Sequence, residues 1–396
     1  MNPFKLNIRK GEDLKKAAVY GAGALAITSL GYFAYQKYLE NCEASRLLEQ
    51  ALLQDQLKYN LIYHKAPNCA GIDKRTAEIR RNRIEGGINY DLYLIFHETQ
   101  TKFQGNVTIE FKKTIEEGDL WLDFTGEILR LEINDQVQKD SYFGQQKNYD
   151  HHLLRLDQTL LKSGTNIVSI DFEHEYSIHG AGLNCYTETN GDKYLFSWNE
   201  TYGCRHIFPN FDQPDIKGQL KLYVSCPSKW NVISNEKKKG KSRLVGYKAS
   251  TETMSVVHKR LLNEVSESDR SDYEIHDFIR TKKIPSYVFS VNVGPWVTIT
   301  YPKSHKGAKI SIHGRKSRID ELKACSGMMF ELQAFALKQM EKLCGMPYQF
   351  SKYDTIFTPN CSVRWSAAEN PGCVNFVEGH LNLNRLESIL FLHMVN

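Results

Sequence analysis

No C-x-x-C pair occurs in this chain, although it carries nine cysteines, at positions 42, 69, 185, 204, 226, 325, 344, 361 and 373. The scattered spacing and odd count give no disulfide framework and no zinc-finger module. Free cysteines are commonly buried, so most of these read as buried thiols. An excess of charge of one sign is also missing: +5 over 396 residues is small. No RNA-binding signature accompanies it, so nucleic acid is not an expected partner. The sequence further lacks a complete H-E-x-x-H, the pattern in which two His four apart bind zinc and the Glu serves as base. Long uncharged runs are scarce, and one stands out near the N-terminus. What remains is 41% hydrophobic and 24% charged, enough for two or three packed domains.

The uncharged run is Ala17–Tyr35, close to the roughly 20 residues needed to cross a bilayer. Lys5, Arg9, Lys10, Lys15 and Lys16 precede it, and Tyr20, Tyr32, Tyr35 and Tyr38 suit the interfaces. Ala18, Ala22 and Ala26 fall on one helix face, where another helix can approach closely. Residues 1–38 are therefore expected to be a tail and transmembrane helix, with 1–16 on the more negative side. Leu47, Leu48, Ala51, Leu52 and Leu57 recur at helical spacing among polar residues. They predict an amphipathic stalk and linker over 39–73, broken at Ala66-Pro67-Asn68 and Gly71.

From about 86 to 300 the pattern is that of strands. Gly105–Lys112, Leu120–Phe124, Ile128–Ile133, Ile167–Phe172, Leu220–Val224 and Trp230–Ile233 alternate apolar and polar residues. Turn signals between them predict an antiparallel sandwich or saddle. Lys237–Arg243 reads as a solvated hairpin tip and Ser250–Arg270 as a loop or insertion. A helix is expected over Arg318–Leu343, with Ile319, Leu322, Cys325, Met329, Leu332, Phe335, Ala336 and Met340 on its packed face. Gly345 and Pro347 stop it. Asn106-Val-Thr108, Asn199-Glu-Thr201 and Asn360-Cys-Ser362 match the glycosylation triplet.

Several segments, in order, resemble the aminopeptidase N family of zinc exopeptidases. Arg75–Arg81 followed by Ile88–Leu92 is similar to the family's approach to its first strand. Tyr194–Pro214 is similar to the stretch centred on R-x-x-F-P-x-F-D-x-P. Trp230–Asn235 and Tyr287–Pro295 follow in place, and Ser366-Ala367-Ala368-Glu369-Asn370 stands where the family has G-A-M-E-N. The resemblance covers residues 74 onward. It implies a β-rich saddle domain over 74–302 and a partial thermolysin-like α+β domain over 303–396, preceded by the transmembrane helix.

The resemblance also implies site roles. Glu369, with Asn370 beside it, keeps the carboxylate that in the family binds the substrate's α-amino group. Trp198 replaces the Gln of the second amine-binding position, and an indole N–H donates without accepting. Glu387–Asn396 reads as an apolar helix on which His393 aligns with the first zinc ligand and Met394 with the general base. One imidazole does not hold a catalytic zinc, which takes three protein ligands and an open position. The expectation is a vestigial site, with no metal, no cofactor and no catalysis. A domain cut at this helix leaves Leu383, Leu386, Ile389, Leu390 and Leu392 to pack on something else.

The first expectation for function is therefore a non-catalytic, membrane-anchored structural or assembly subunit. Its partners are the bilayer and other protein subunits, met through this C-terminal face and the stalk. The moderate hydrophobicity of the Ala/Gly/Tyr-rich helix favours the mitochondrial inner membrane. Two alternatives stand beside it: one half of a two-chain zinc aminopeptidase, and a type II secretory-pathway membrane protein with a peptide-binding ectodomain.

Overall fold

The computed structural model describes residues 72–177, 180–244, 265–267, 270–359 and 367–381. The chain divides into two units, 1–69 and 70–396, and only the second contains described residues. The expected transmembrane helix with Ala18, Ala22 and Ala26, the stalk, and His393 and Met394 all lie outside them. Among the described residues no helix is long and apolar enough to cross a membrane.

The described part opens with helix α1 (Lys74–Asn82). Asp73 caps it, its carboxylate accepting from the Thr76 amide at 3.1 Å. The strands that follow are β1 (Ile84–Ile95), β2 (Lys102–Lys113), β3 (Leu120–Asp123), β4 (Glu127–Ile133) and β5 (Gln136–Val137). After the short helix α2 (Asp140–Phe143) come β6 (Leu153–Leu156), β7 (Gly164–Glu175), β8 (Gly182–Thr187) and β9 (Lys193–Trp198). The series continues through β10 (Gly218–Pro227), β11 (Asn231–Ser234), β12 (Lys238–Arg243), β13 (Tyr273–Phe278) and β14 (Val291–Gly294). Then come β15 (Val297–His305), β16 (Ala308–Gly314), helix α3 (Ile319–Cys344), β17 (Lys352–Thr358), β18 (Ala367–Ala368) and β19 (Cys373–Val377).

An eight-stranded sheet runs β12-β13-β10-β1-β2-β7-β4-β5, and a four-stranded sheet runs β11-β14-β9-β8. Every pairing in them is antiparallel except β1 with β10, which is parallel from Ile88↔Gly218 to Ile95↔Ser225. The apolar faces meet in one large core that includes Leu92, Leu94, Val107, Ile109, Ile170, Leu222 and Val293. The alternation read from the sequence is thus the alternation between this core and the opposite face.

A third sheet, β15-β16-β17-β19-β18, carries α3 on one face. Because β15 pairs with β16, the change of sheet comes at Trp296, ahead of the expected 302/303 boundary. Gly345 ends α3 in the left-handed conformation at φ 67°.

Three expectations need correction. The buried stripe of α3 is Leu322, Cys325, Met329, Phe330, Gln333 and Leu337, whereas Phe335 and Met340 are 46% and 54% exposed. Gln333 joins the buried face because its Nε2 donates to Thr355 Oγ1 at 2.7 Å, while its Oε1 meets no partner among the described residues. Lys237–Arg243 is not a hairpin tip: from Lys238 it is the edge strand β12, paired with β13. An edge strand needs no apolar alternation, and lysines there discourage further pairing. Finally, Asn106 and Asn199 are buried. Asn106 donates to Ser169 Oγ and Asp171 Oδ1, and Asn199 to the Phe289 carbonyl. Neither accepts a glycan in the folded chain, and Asn360 lies outside the described residues.

Candidate functional site: a carboxylate pair at the ends of β9 and β18

Three segments far apart in sequence meet at one place. Glu200 follows the end of β9. Tyr287 lies in the 3-10 turn Ser286–Val288, and Glu369 follows the end of β18. The Tyr287 phenol lies near enough to the Glu369 and Glu200 carboxylates for both charges to act on it. Burial, and after it these two carboxylates, pushes the phenol up. Burial also raises Glu200, and the charge of Glu369 raises it further. Two like charges held this close make a site that is short of a cation.

Buried asparagines hold the three segments together. Asn235 Nδ2 donates to the Val288 carbonyl and to the Pro371 carbonyl, each at 2.9 Å, while its Oδ1 accepts from the Ser290 amide at 2.8 Å. One side chain therefore joins the Tyr287 turn to the Glu369 turn. Asn199 Nδ2 donates to the Phe289 carbonyl at 2.8 Å, and Asn375 Nδ2 to the Ser197 carbonyl at 3.1 Å. These two tie the Glu200 segment to the other two. Gly372 lets the turn after Glu369 come this close. Its φ is +76°, and a Cβ there would lie 1.9 Å from the Asn235 carbonyl oxygen.

The segment Tyr202–Asp212 builds a buried charge cluster beneath the site. Arg80 Nη1 donates to Asp123 Oδ2 at 2.6 Å, and the Tyr202 hydroxyl donates to Asp123 Oδ1 at 2.5 Å. Asp212 receives the Arg205 amide at 3.0 Å and the Ser286 hydroxyl at 2.7 Å. Ser286 adjoins Tyr287 and Tyr202 lies two residues past Glu200, so the cluster anchors both flanks. Burial, with the nearby charge of Asp123, pushes the Asp212 carboxyl up to about 7.

Of the residues singled out in the sequence, Glu369 takes part directly. Asn370 is buried, and its carbonyl accepts from the Cys373 amide at 3.0 Å, closing the turn onto β19. Trp198 is 3% exposed, opposite Gly182 in the four-stranded sheet, and its indole N–H meets no hydrogen-bond partner among the described residues. Glu200 and Tyr287 were not singled out, although both stand in motif segments. The signal for Glu200 was a second acid two positions after Trp198. A zinc site would need three or more converging His, Cys, Asp or Glu side chains, and the described residues hold no such group. They offer acceptors for an ammonium and no ligand set for that metal.

Residues 87–256 match the peptidase M1 N-terminal domain. Aminopeptidase N of Streptomyces lividans is 26% identical over 217 residues, which cover 54% of this chain and 21% of that protein. Probable M1 family aminopeptidase 1 of Encephalitozoon cuniculi (strain GB-M1) is 24% identical over 238 residues, 59% of this chain and 23% of that protein. Leukotriene A-4 hydrolase of Xenopus laevis is 28% identical over 184 residues, 46% of this chain and 24% of that protein. The matched regions thus span about a quarter of the length of these relatives. These matches support a relationship to the M1 family and a β-rich domain of the M1 N-terminal kind.

Proposed function

We propose that this chain is an aminopeptidase-like protein that holds the free amino terminus of a peptide or protein without cleaving it, as a membrane-anchored subunit of a larger assembly. The reading draws on the mutual electrostatic influence of Glu200, Glu369 and Tyr287, whose segments buried asparagines hold together. An ammonium is best met by charged, oriented acceptors. Placed between the two carboxylates, it relieves the repulsion that now raises Glu200. The non-catalytic part of the reading rests on Met394. A thioether at the position of a general base does not take a proton from water. The membrane part rests on Ala17–Tyr35 and its flanking lysines. The mitochondrial inner membrane is the favoured location.

Titration calorimetry with an alanyl peptide amide and its N-acetylated twin tests the site. The free amine is expected to bind, and Glu369→Gln or Glu200→Gln to weaken it by about tenfold or more, the scale of a hydrogen bond to a charged group. Equal binding of the acetylated peptide overturns the reading. Carbonate extraction of the native membrane fraction tests the anchor; release into the supernatant removes it.

A second reading, a two-chain zinc aminopeptidase completed by a separate polypeptide, draws on the apolar side chains exposed along and just beyond α3. Phe335, Met340, Leu343 and Met346 are between 46% and 79% exposed. Zinc analysis and peptide p-nitroanilide hydrolysis by the native assembly decide it: bound metal with turnover favours this reading over the first.

A further inference from the structure

The eight-stranded sheet ends in a basic edge. Strand β12 is its outermost strand and pairs on one side, with β13. Lys237–Arg243 contains Lys237, Lys238, Lys239, Lys241 and Arg243 and no acid. The residues from Lys239 to Arg243 are all exposed. A Cβ built on Gly240 would meet nothing within 4 Å, so the strand is open there. Across the ladder stands Glu274, and Lys241 Nζ takes both of its oxygens, at 2.9 and 3.2 Å. Arg243 lies directly opposite that same Glu274 and, like Lys237 and Lys239, joins no ion pair among the described residues.

The register shows which backbone groups are open. The Leu244 amide donates inward to the Tyr273 carbonyl at 2.9 Å, and the Ile279 amide donates to the Lys237 carbonyl at 3.1 Å. Residues of an antiparallel ladder alternate between bonding their partner and turning away from it. Counting back from Leu244, Ser242 bonds toward β13, while Lys241 and Arg243 turn their N–H and C=O outward. These two residues also share one face, because they are two apart. The edge therefore repeats a donor, an acceptor and a cation at every second residue. Its cations repel a copy of itself and so block self-pairing. A strand with carboxylates at alternate positions meets the same cations as attraction, because opposite charges directly across a ladder stabilise it. A phosphate group would use the cations and amides but leave the outward carbonyls without donors. A peptide backbone satisfies all three.

We propose that β12 is a docking edge for an extended acidic segment of a partner protein, which adds antiparallel to the sheet with Asp or Glu opposite Lys241 and Arg243. Main-chain bonds from Lys241 and Arg243 hold the segment, and the cross-strand charges select it. Its acidic residues occupy the bonded positions, so their amides point at β12. The residues between them turn their amides away.

The probe is a fluorescein-labelled Glu-Thr-Glu-Thr-Glu-Thr peptide, titrated with the full-length protein at low salt and read by fluorescence anisotropy. Saturable binding is expected. N-methylation of the Glu amides should weaken it about tenfold or more, because main-chain bonds to the edge are lost. N-methylation of the Thr amides, which face away, should leave it unchanged. Arg243→Glu should weaken binding about tenfold, because a like charge then faces the ligand. Arg243 is exposed and unpaired, so this variant folds as the parent does. No binding of the unmodified peptide overturns the proposal, and so does equal binding of the peptide with Lys in place of Glu. Binding that ignores N-methylation of the Glu amides shows attraction by charge alone and also overturns it. Capture by phosphatidylcholine–phosphatidylserine vesicles without binding of the peptide replaces it with a lipid surface.

Discussion

Replacing Asp212 by Asn should change how stability depends on pH, and the structure sets the size of the effect. Asp212 is 2% exposed and faces Asp123, with Arg80 and Arg205 as the nearby cations. Its carboxyl moves from 3.8 in a free chain to about 7 in the fold. Below about pH 4 it is protonated in both states; above about pH 7 it is ionised in both. In between, the unfolded chain releases the proton while the folded chain keeps it. The stabilising contribution is therefore complete below the unfolded value and is lost as pH rises through the folded value. Three pK units correspond to about 4 kcal/mol. Asn does not titrate, so the stability of the variant minus that of the wild type should rise by about that amount between roughly pH 4 and pH 8. Guanidinium unfolding of both proteins across this range measures the difference, and titrations common to both cancel. A difference that stays flat within about 1 kcal/mol, or that falls as pH rises, refutes the reasoning.

Arg80→Leu should destabilise by about 3–5 kcal/mol, because it leaves Asp123 charged and unpaired in a dry place; denaturant melts at neutral pH measure it. Asn235→Ala strips the partner from two buried carbonyls and one amide, about 3–5 kcal/mol in all. It should also weaken binding of a free-amine peptide, since it unfastens the Tyr287 turn from the Glu369 turn; calorimetry reads the second effect. Gly372→Ala drives a methyl into the Asn235 carbonyl at a positive φ, and about 3 kcal/mol or more of lost stability is expected in the same melts.

The strands were legible because each buries one face, and burial writes itself into the sequence with period two. Val107, Ile109, Phe111, Val168, Ile170 and Phe172 all obey it. The buried face of α3 was less legible. Gln333 enters the core through a single bond from its helix to Thr355 on strand β17, and hydropathy does not register such a partner. Edge strand β12 was hidden for the opposite reason: from Lys239 to Arg243 its side chains face water and leave no apolar period. Glu369 could be picked out from a local motif. Glu200 and Tyr287 needed the tertiary fold, because what gathers them is asparagines 199, 235 and 375, which carry no signature along the chain.

The parallel match of β1 to β10 has a consequence for synthesis. The Tyr93 hydroxyl meets Ser225 across 132 positions of chain, so as the polypeptide leaves the ribosome β1 waits a long time for its neighbour. During that wait one row of its amides and carbonyls is bare and its apolar side chains have only the β2 side to shelter them. Topology of this kind slows folding. Translation products that stop short of residue 218 should therefore be sticky, chaperone-bound species, and the first sheet should lock only after the second half of the β region has emerged.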